Sequence, residues 1–243
     1  MKPDPFNLDP VPGIADGAYL LDSVIKTVGD ETFSLKRDQL KIFVDNRFMF
    51  AFFDDQTGLI DAATGYAYWV DGVLTETPIA NQDGPVEGLS FEIALQTTEA
   101  GFTQGVRGMP AESGGTYDLD EQWALLSSEK NPFDGLWKLE SRETAGDSCT
   151  DFTEMKLIGG GHTIFFHRYN DGGEDDGELV KHFGFGSLQV SETGEVTETG
   201  MTGTIEGYAG SEQLLGMELV EEDRMVQRFL VDGVEVVQVY GRI

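Results

Sequence analysis

Few residues of this chain can move a proton at neutral pH. Its three histidines, His162, His167 and His182, all fall in the second half of 243 residues. Imidazole titrates near physiological pH, so a buried, oriented histidine can serve as general base or acid. His167 lies in Thr163-Ile164-Phe165-Phe166-His167-Arg168-Tyr169. If that segment is a strand, Thr163, Phe165, His167 and Tyr169 share one face, and Ile164, Phe166 and Arg168 share the other. His182, in Lys181-His182-Phe183-Gly184-Phe185-Gly186, reads as the next strand and can pair beside the first. His167, Tyr169 and His182 are therefore the candidate proton-transfer set. Arg168 could hold a carboxylate or phenolate by bidentate contact, but parity sets it opposite His167 unless a bulge intervenes. His162 follows three glycines and reads as a surface turn residue.

Other chemistries find little support. No Cys-x-x-Cys or His-Glu-x-x-His spacing occurs, so no metal site is expected. The dense acidic stretch 171–178 lacks the EF-hand spacing and reads as a solvated turn. Gly159-Gly160-Gly161 is not followed by a helix with Lys-Ser/Thr, which removes a phosphate-cradling loop. No Gly-x-Ser-x-Gly elbow and no dinucleotide fingerprint are present, and no cofactor is expected. Cys149 is the sole cysteine, so no intrachain disulfide can form.

The elements that must position these residues read as strands. Thr32-Phe33-Ser34-Leu35, Tyr66-Ala67-Tyr68-Trp69-Val70, Phe91-Glu92-Ile93-Ala94-Leu95 and Phe229-Leu230-Val231 are short and rich in aromatic or β-branched residues. Asp71-Gly72, Thr193-Gly194 and Asp232-Gly233 sit between such runs, and this is tight-hairpin chemistry. No long segment has helical apolar periodicity. The stretch from Asp120 to Lys130 admits a short helix, but its start aligns better with a strand.

The two halves echo each other. Asp16-Gly17-Ala18-Tyr19-Leu20-Leu21-Asp22-Ser23 recurs as Asp134-Gly135-Leu136-Trp137-Lys138-Leu139-Glu140-Ser141. Leu40-Lys41-Ile42-Phe43 matches Met155-Lys156-Leu157-Ile158, and Phe48-Met49-Phe50 matches Thr163-Ile164-Phe165. Gly72 to Thr77 likewise matches Gly194 to Thr199. On this spacing His167 occupies the place of Phe52. The expected division is 1–128 and 129–243, with a polar seam at Ser127 to Pro132. Each half holds an antiparallel meander of about eight strands, which loses its exposed edges by closing into a barrel. Such a barrel either fills with side chains or holds one small ligand.

Composition bounds the partners. Against 16 Lys+Arg stand 44 Asp+Glu, a formal charge of −28. That opposes nucleic acid, whose binding depends on phosphate neutralisation, and anionic membrane surfaces. The longest apolar run, Phe48 to Phe53, is strand-sized, so no membrane span is expected. The first residues lack a secretory apolar core, and a cytoplasmic protein is expected. A homodimer remains open.

The segment opening with Asp134-Gly135-Leu136-Trp137 resembles the Gly-x-Trp motif on the first strand of lipocalin-like (calycin) barrels. Lys156-Leu157-Ile158 followed by Thr163 to Tyr169 is similar to the Lys-bearing and Arg-Tyr-ending strands of some bacterial members. The first half departs at the signature, with Tyr19 where Trp137 stands. The resemblance implies two tandem lipocalin-like barrels, Trp137 packed across a closed end, and a cavity for a small, largely apolar molecule. It does not imply a reaction.

Three functional readings compete. In the first, a barrel binds a small hydrophobic or aromatic molecule, with Trp137, Phe165, Arg168, Phe183, Phe185, Trp69 and Phe50 as candidate contacts. In the second, the protein is a cofactor-independent isomerase, cyclase, lyase or hydratase using His167 with Tyr169 or His182. In the third, the barrels are filled by their own side chains and serve structure or interaction.

Overall fold

In a computed structural model the chain is all-β. It describes residues 11–54, 57–70, 73–111, 114–170 and 178–243. No helix occurs among them, so the segment from Asp120 takes the strand alternative through Ser127. The Asp71-Gly72 turn and the acidic stretch 171–177 lie outside the described residues.

Contacts divide the chain between Ser128 and Glu129. The first unit runs β1 (Gly17–Val28), β2 (Glu31–Leu35), β3 (Arg37–Val44), β4 (Arg47–Asp54) and β5 (Ile60–Val70). It continues with β6 (Val73–Asn81), β7 (Gly84–Pro85), β8 (Phe91–Thr98), β9 (Gly101–Pro110) and β10 (Thr116–Ser127). Eight strands in the order β10-β9-β8-β6-β5-β4-β3-β1 close through β10–β1, with β2 and β7 as side ribbons. The second unit runs β11 (Gly135–Thr144), β12 (Asp147–Ser148), β13 (Thr153–Gly159), β14 (His162–Asn170) and β15 (Leu179–Val190). It ends with β16 (Val196–Gly203), β17 (Glu212–Glu221), β18 (Arg224–Val231) and β19 (Val234–Arg242). Its barrel closes through β11–β19, with β12 outside the ring. All pairings are antiparallel, and apart from the closing pairs β1–β10 and β11–β19 they join near neighbours in sequence, as meanders require.

Turn chemistry sets the hairpins. Asp232 and Gly233 both have positive φ (52° and 80°), the two-residue turn whose twist matches flanking antiparallel strands.

The repeat in the sequence has a structural counterpart. Lys41 faces Phe50 across β3–β4, as Lys156 faces Phe165 across β13–β14. Tyr19 donates its hydroxyl to Ala15 O at 2.8 Å, and Trp137 donates Nε1–H to Phe133 O at 2.9 Å, each four residues back. Register shifts recur at Leu21/Ser23 and Leu139/Ser141, and again at Thr64/Gly65 and Phe185/Gly186. A Cβ at Gly65 would lie 2.1 Å from Thr77 O, and one at Gly186 2.2 Å from Thr199 O. Backbones approach so closely at these irregularities that only glycine fits.

Inward-facing residues form one core per barrel. Tyr19, Phe43, Phe48, Phe102 and Trp123 pack in the first; Trp137, Ile158, Leu188, Met225 and Tyr240 pack in the second.

Candidate functional site

Each barrel interior carries a charge network built around one lysine. Lys41 and Lys156 alternate with apolar neighbours on β3 and β13, and their parity turns them inward with Phe43 and Ile158. Lys41 is 2% exposed. Its Nζ donates to Glu76 Oε1 at 2.5 Å and Gln104 Oε1 at 3.2 Å, and lies 5.0 Å from the Phe43 ring centroid. Gln104 Nε2 donates to Glu121 Oε2 at 2.5 Å, which also accepts Trp123 Nε1–H at 3.1 Å. Burial raises the Glu121 carboxyl above its ordinary value, against the pull of Lys41 and these donors.

In the second barrel Lys156 Nζ donates to Gln227 Oε1 at 2.7 Å and lies 3.5 Å from Glu154 Oε1. Tyr240 Oη donates to that same oxygen at 2.6 Å. Tyr208 Oη donates to Glu198 Oε1 at 2.7 Å. Burial pushes Glu154 up, but Lys156, His167 and the Tyr240 hydroxyl outweigh it and hold this carboxyl at about 2. Glu198 is raised by burial, and the hydroxyls of Tyr208 and Tyr240 are raised by burial and by the carboxylates they serve.

The two networks draw on matching strand positions, with an acid and an amide exchanged between them. The sequence match of Gly72–Thr77 with Gly194–Thr199 sets Glu76 against Glu198. Gln39 faces Phe52 where Glu154 faces His167. Glu121 stands two residues before Trp123, as Gln238 stands before Tyr240. Each interior thus holds one lysine and two glutamates, but the second glutamate sits on β10 in one barrel and on β13 in the other.

His167 stands at the end of this network. Its Nδ1 lies 3.5 Å from Glu154 Oε2, at ion-pair range but outside hydrogen-bond geometry, and that buried nitrogen has no hydrogen-bond partner among the described residues. Aromatic rings enclose the imidazole. Phe152 lies at 4.7 Å between centroids, His182 at 5.5 Å, Phe165 at 5.8 Å and Tyr169 at 6.0 Å. Arg142 caps Phe152 from 4.2 Å. His182 Nδ1 meets Thr204 Oγ1 at 3.2 Å, and burial followed by the neighbouring His167 lowers its affinity for a proton.

Of the residues singled out from sequence, His167, Tyr169, His182 and Phe165 come together here. Arg168 lies on the opposite face and bonds Thr153 Oγ1 at 3.2 Å through Nε. Phe183 and Phe185 pair with Phe166 and Ile164, so they share that opposite face rather than the interior. Trp137 is wholly buried in the core, beneath the Arg242 guanidinium at 4.3 Å. Trp69 and Phe50 pack against the first barrel's core. His162, expected at the surface, is instead buried on β14, with Nδ1 at 2.7 Å from Gly160 O and its proton affinity lowered by burial. Sequence reasoning missed Glu154, Glu198, Gln227, Gln238 and Tyr240. The available signal was the lysine and glutamate repeated at matching places in both halves. Among the described residues no group of three His, Cys, Asp or Glu side chains could hold a metal ion.

The first barrel also has an open cleft of about 1210 Å³, lined by Trp69, Phe91, Ile93, Leu95, Gln104 and Glu121 among others.

No family model matches this chain, and no curated protein does. Among solved structures it is similar to an uncharacterized protein from Saccharomyces cerevisiae at 11% identity and a TM-score of 0.48, covering 93% of this chain and 98% of that one. It is also similar to a protein of unknown function from the DUF3598 family of Nostoc punctiforme, at 9% identity and a TM-score of 0.28, covering 93% and 96%.

Proposed function

We propose that the second barrel, read as lipocalin-like, binds a small and largely hydrophobic molecule. The ring system of Phe152, Phe165, Tyr169 and His182 takes its planar body, and His167 takes its polar end. The supporting observation is the buried His167 Nδ1 beside an ionised Glu154, without a hydrogen-bond partner among the described residues. A buried polar atom left unpaired is costly, and a ligand group that pairs with it gains that energy on binding. The polar layer of Lys156, Gln227 and Gln238 fixes how deep an apolar body can reach. The first barrel has Phe52 at the place of His167, so the two interiors differ at this point.

Native mass spectrometry of protein purified from its host tests the reading. A retained small molecule is expected at one equivalent, and it should be lost from His167→Phe. Titration with 1-naphthol, followed by tryptophan fluorescence, provides the same comparison without a natural ligand. Absence of both a retained mass and any naphthol response overturns the proposal.

One observation favours a second reading, cofactor-independent proton transfer on the bound molecule. The Glu154 carboxylate lies 3.5 Å from His167 Nδ1, where it would stabilise the cation formed when that imidazole takes a proton. On this reading His167→Ala and Glu154→Gln both abolish turnover; turnover that survives either change removes it.

A further inference from the structure

The first barrel holds a carboxylate that the second does not. Glu121 sits on β10 where the second barrel has Gln238, and across the ladder it faces Val24, whereas Gln238 faces Arg142. The hydrogen bonds from Gln104 and Trp123 fall on Glu121 Oε2. Lys41 pairs directly with Glu76 at 2.5 Å, and its pull on Glu121 does not outweigh burial, so Glu121 lacks a full counter-charge. Glu121 is 6% exposed and lines the open cleft beside Gln104. The lining also carries Trp69, Phe91, Ile93 and Leu95, turned to the interior, and Glu92, Asp120 and Gln122 from the opposite strand face. Among the residues lining the cleft, Arg107 is the one cation. It is already paired with Asp118 and Asp120 and donates to Leu119 O.

A cleft with a buried spare carboxylate, aromatic walls and no spare cation selects positive charge on an apolar body. Aromatic faces attract ammonium groups, and the attraction grows when water is excluded. We propose that the first barrel carries a binding site for an organic cation, an arylalkyl ammonium, seated against Trp69 and Phe91 with Glu121 as its counter-ion. The site is independent of His167 and of the second barrel's ligand. The acidic exterior raises the local concentration of cations but confers no selectivity among them.

Isothermal titration of the full chain with phenethylammonium tests the site, using 2-phenylethanol as the neutral isostere. About 0.15 M salt screens charges more than about 8 Å away and suppresses surface binding. The ammonium should bind at least about tenfold tighter than the alcohol, a difference of about 1.4 kcal/mol. Glu121→Gln should erase that preference; it installs the amide that the second barrel tolerates at Gln238, and its thermal midpoint reports whether the fold survives. Trp69→Leu, with Glu121 intact, should weaken the ammonium severalfold and serves as the second variant. The proposal is overturned by equal affinity for ammonium and alcohol, by undiminished preference in Glu121→Gln, by undiminished affinity in Trp69→Leu, or by no binding to the wild-type protein.

Discussion

The buried charges are the residues on which this fold is most sensitive to substitution. Lys41 and Glu76 are nearly inaccessible, and each is the partner that makes burial of the other tolerable. Removing one member of a buried pair leaves an uncompensated charge and typically costs about 3–5 kcal/mol. Lys41→Met should therefore lower the unfolding free energy by about that amount. The double variant Lys41→Met/Glu76→Gln should recover part of the loss, as chemical denaturation of the four proteins would reveal. Asp61 provides a pH-dependent case. Burial raises its carboxyl from 3.8 to about 6, with Asp83 adding to the rise while the Ala62 backbone bond and Arg37 oppose it. The folded protein thus holds this proton more tightly than the unfolded chain, and stability falls as pH rises from about 3.8 through about 6. Asp61→Asn should add about 1–3 kcal/mol at pH 8 and nothing near pH 3, measured as the difference in denaturation midpoints across pH. Glu154 has the opposite sign. Its contribution is complete above about 4.5 and disappears as pH falls toward about 2.

At the level of strands, the glycines at the matched register shifts mark where β5 and β15 approach their neighbours' backbones closely. Gly186→Ala places a methyl group 2.2 Å from Thr199 O, and Gly65→Ala places one 2.1 Å from Thr77 O. Each should destabilise by about 1–3 kcal/mol, because backbone rather than a flexible side chain must move. A thermal midpoint unchanged in either variant would show that the strands can part there without cost. Strands, turns and the repeat were all legible in the sequence, since period-two patterning and Asp-Gly turns act locally. The facing of His167, Phe165 and Tyr169 followed from the same alternation. Phe183 and Phe185 were misplaced for want of one pairing: with His182 opposite His167, their outward parity is fixed. The lysine networks were hidden because β3 and β13 are apolar on both faces around the lysine, so Leu40, Ile42, Leu157 and Ile158 give no clue to which side it takes. Glu121 and Gln238 fall in strands where alternation with Asp120, Gln122, Val237 and Val239 separates the faces poorly.

The whole molecule carries −28 on 243 residues. Such a surface repels itself, and screening by salt relieves that repulsion. The thermal midpoint should rise by several degrees between low and half-molar sodium chloride, in contrast to a fold held by exposed ion pairs, which salt weakens. A midpoint that falls over this range would place most of the stability in surface pairing. Because burial is the main cause of the Asp61 shift, the Asp61→Asn difference should stay nearly constant across the same series.

The exchanged glutamates have a practical consequence. One polypeptide holds two interiors in which an acid and an amide are transposed, so each serves as a comparison for its twin. Gln39→Glu combined with Glu121→Gln gives the first interior the carboxylate placement of the second while keeping its formal charge. If ligand choice tracks that rewriting, selectivity resides in where a proton-bearing group sits around the ring of strands, and a designer could move it without rebuilding the wall.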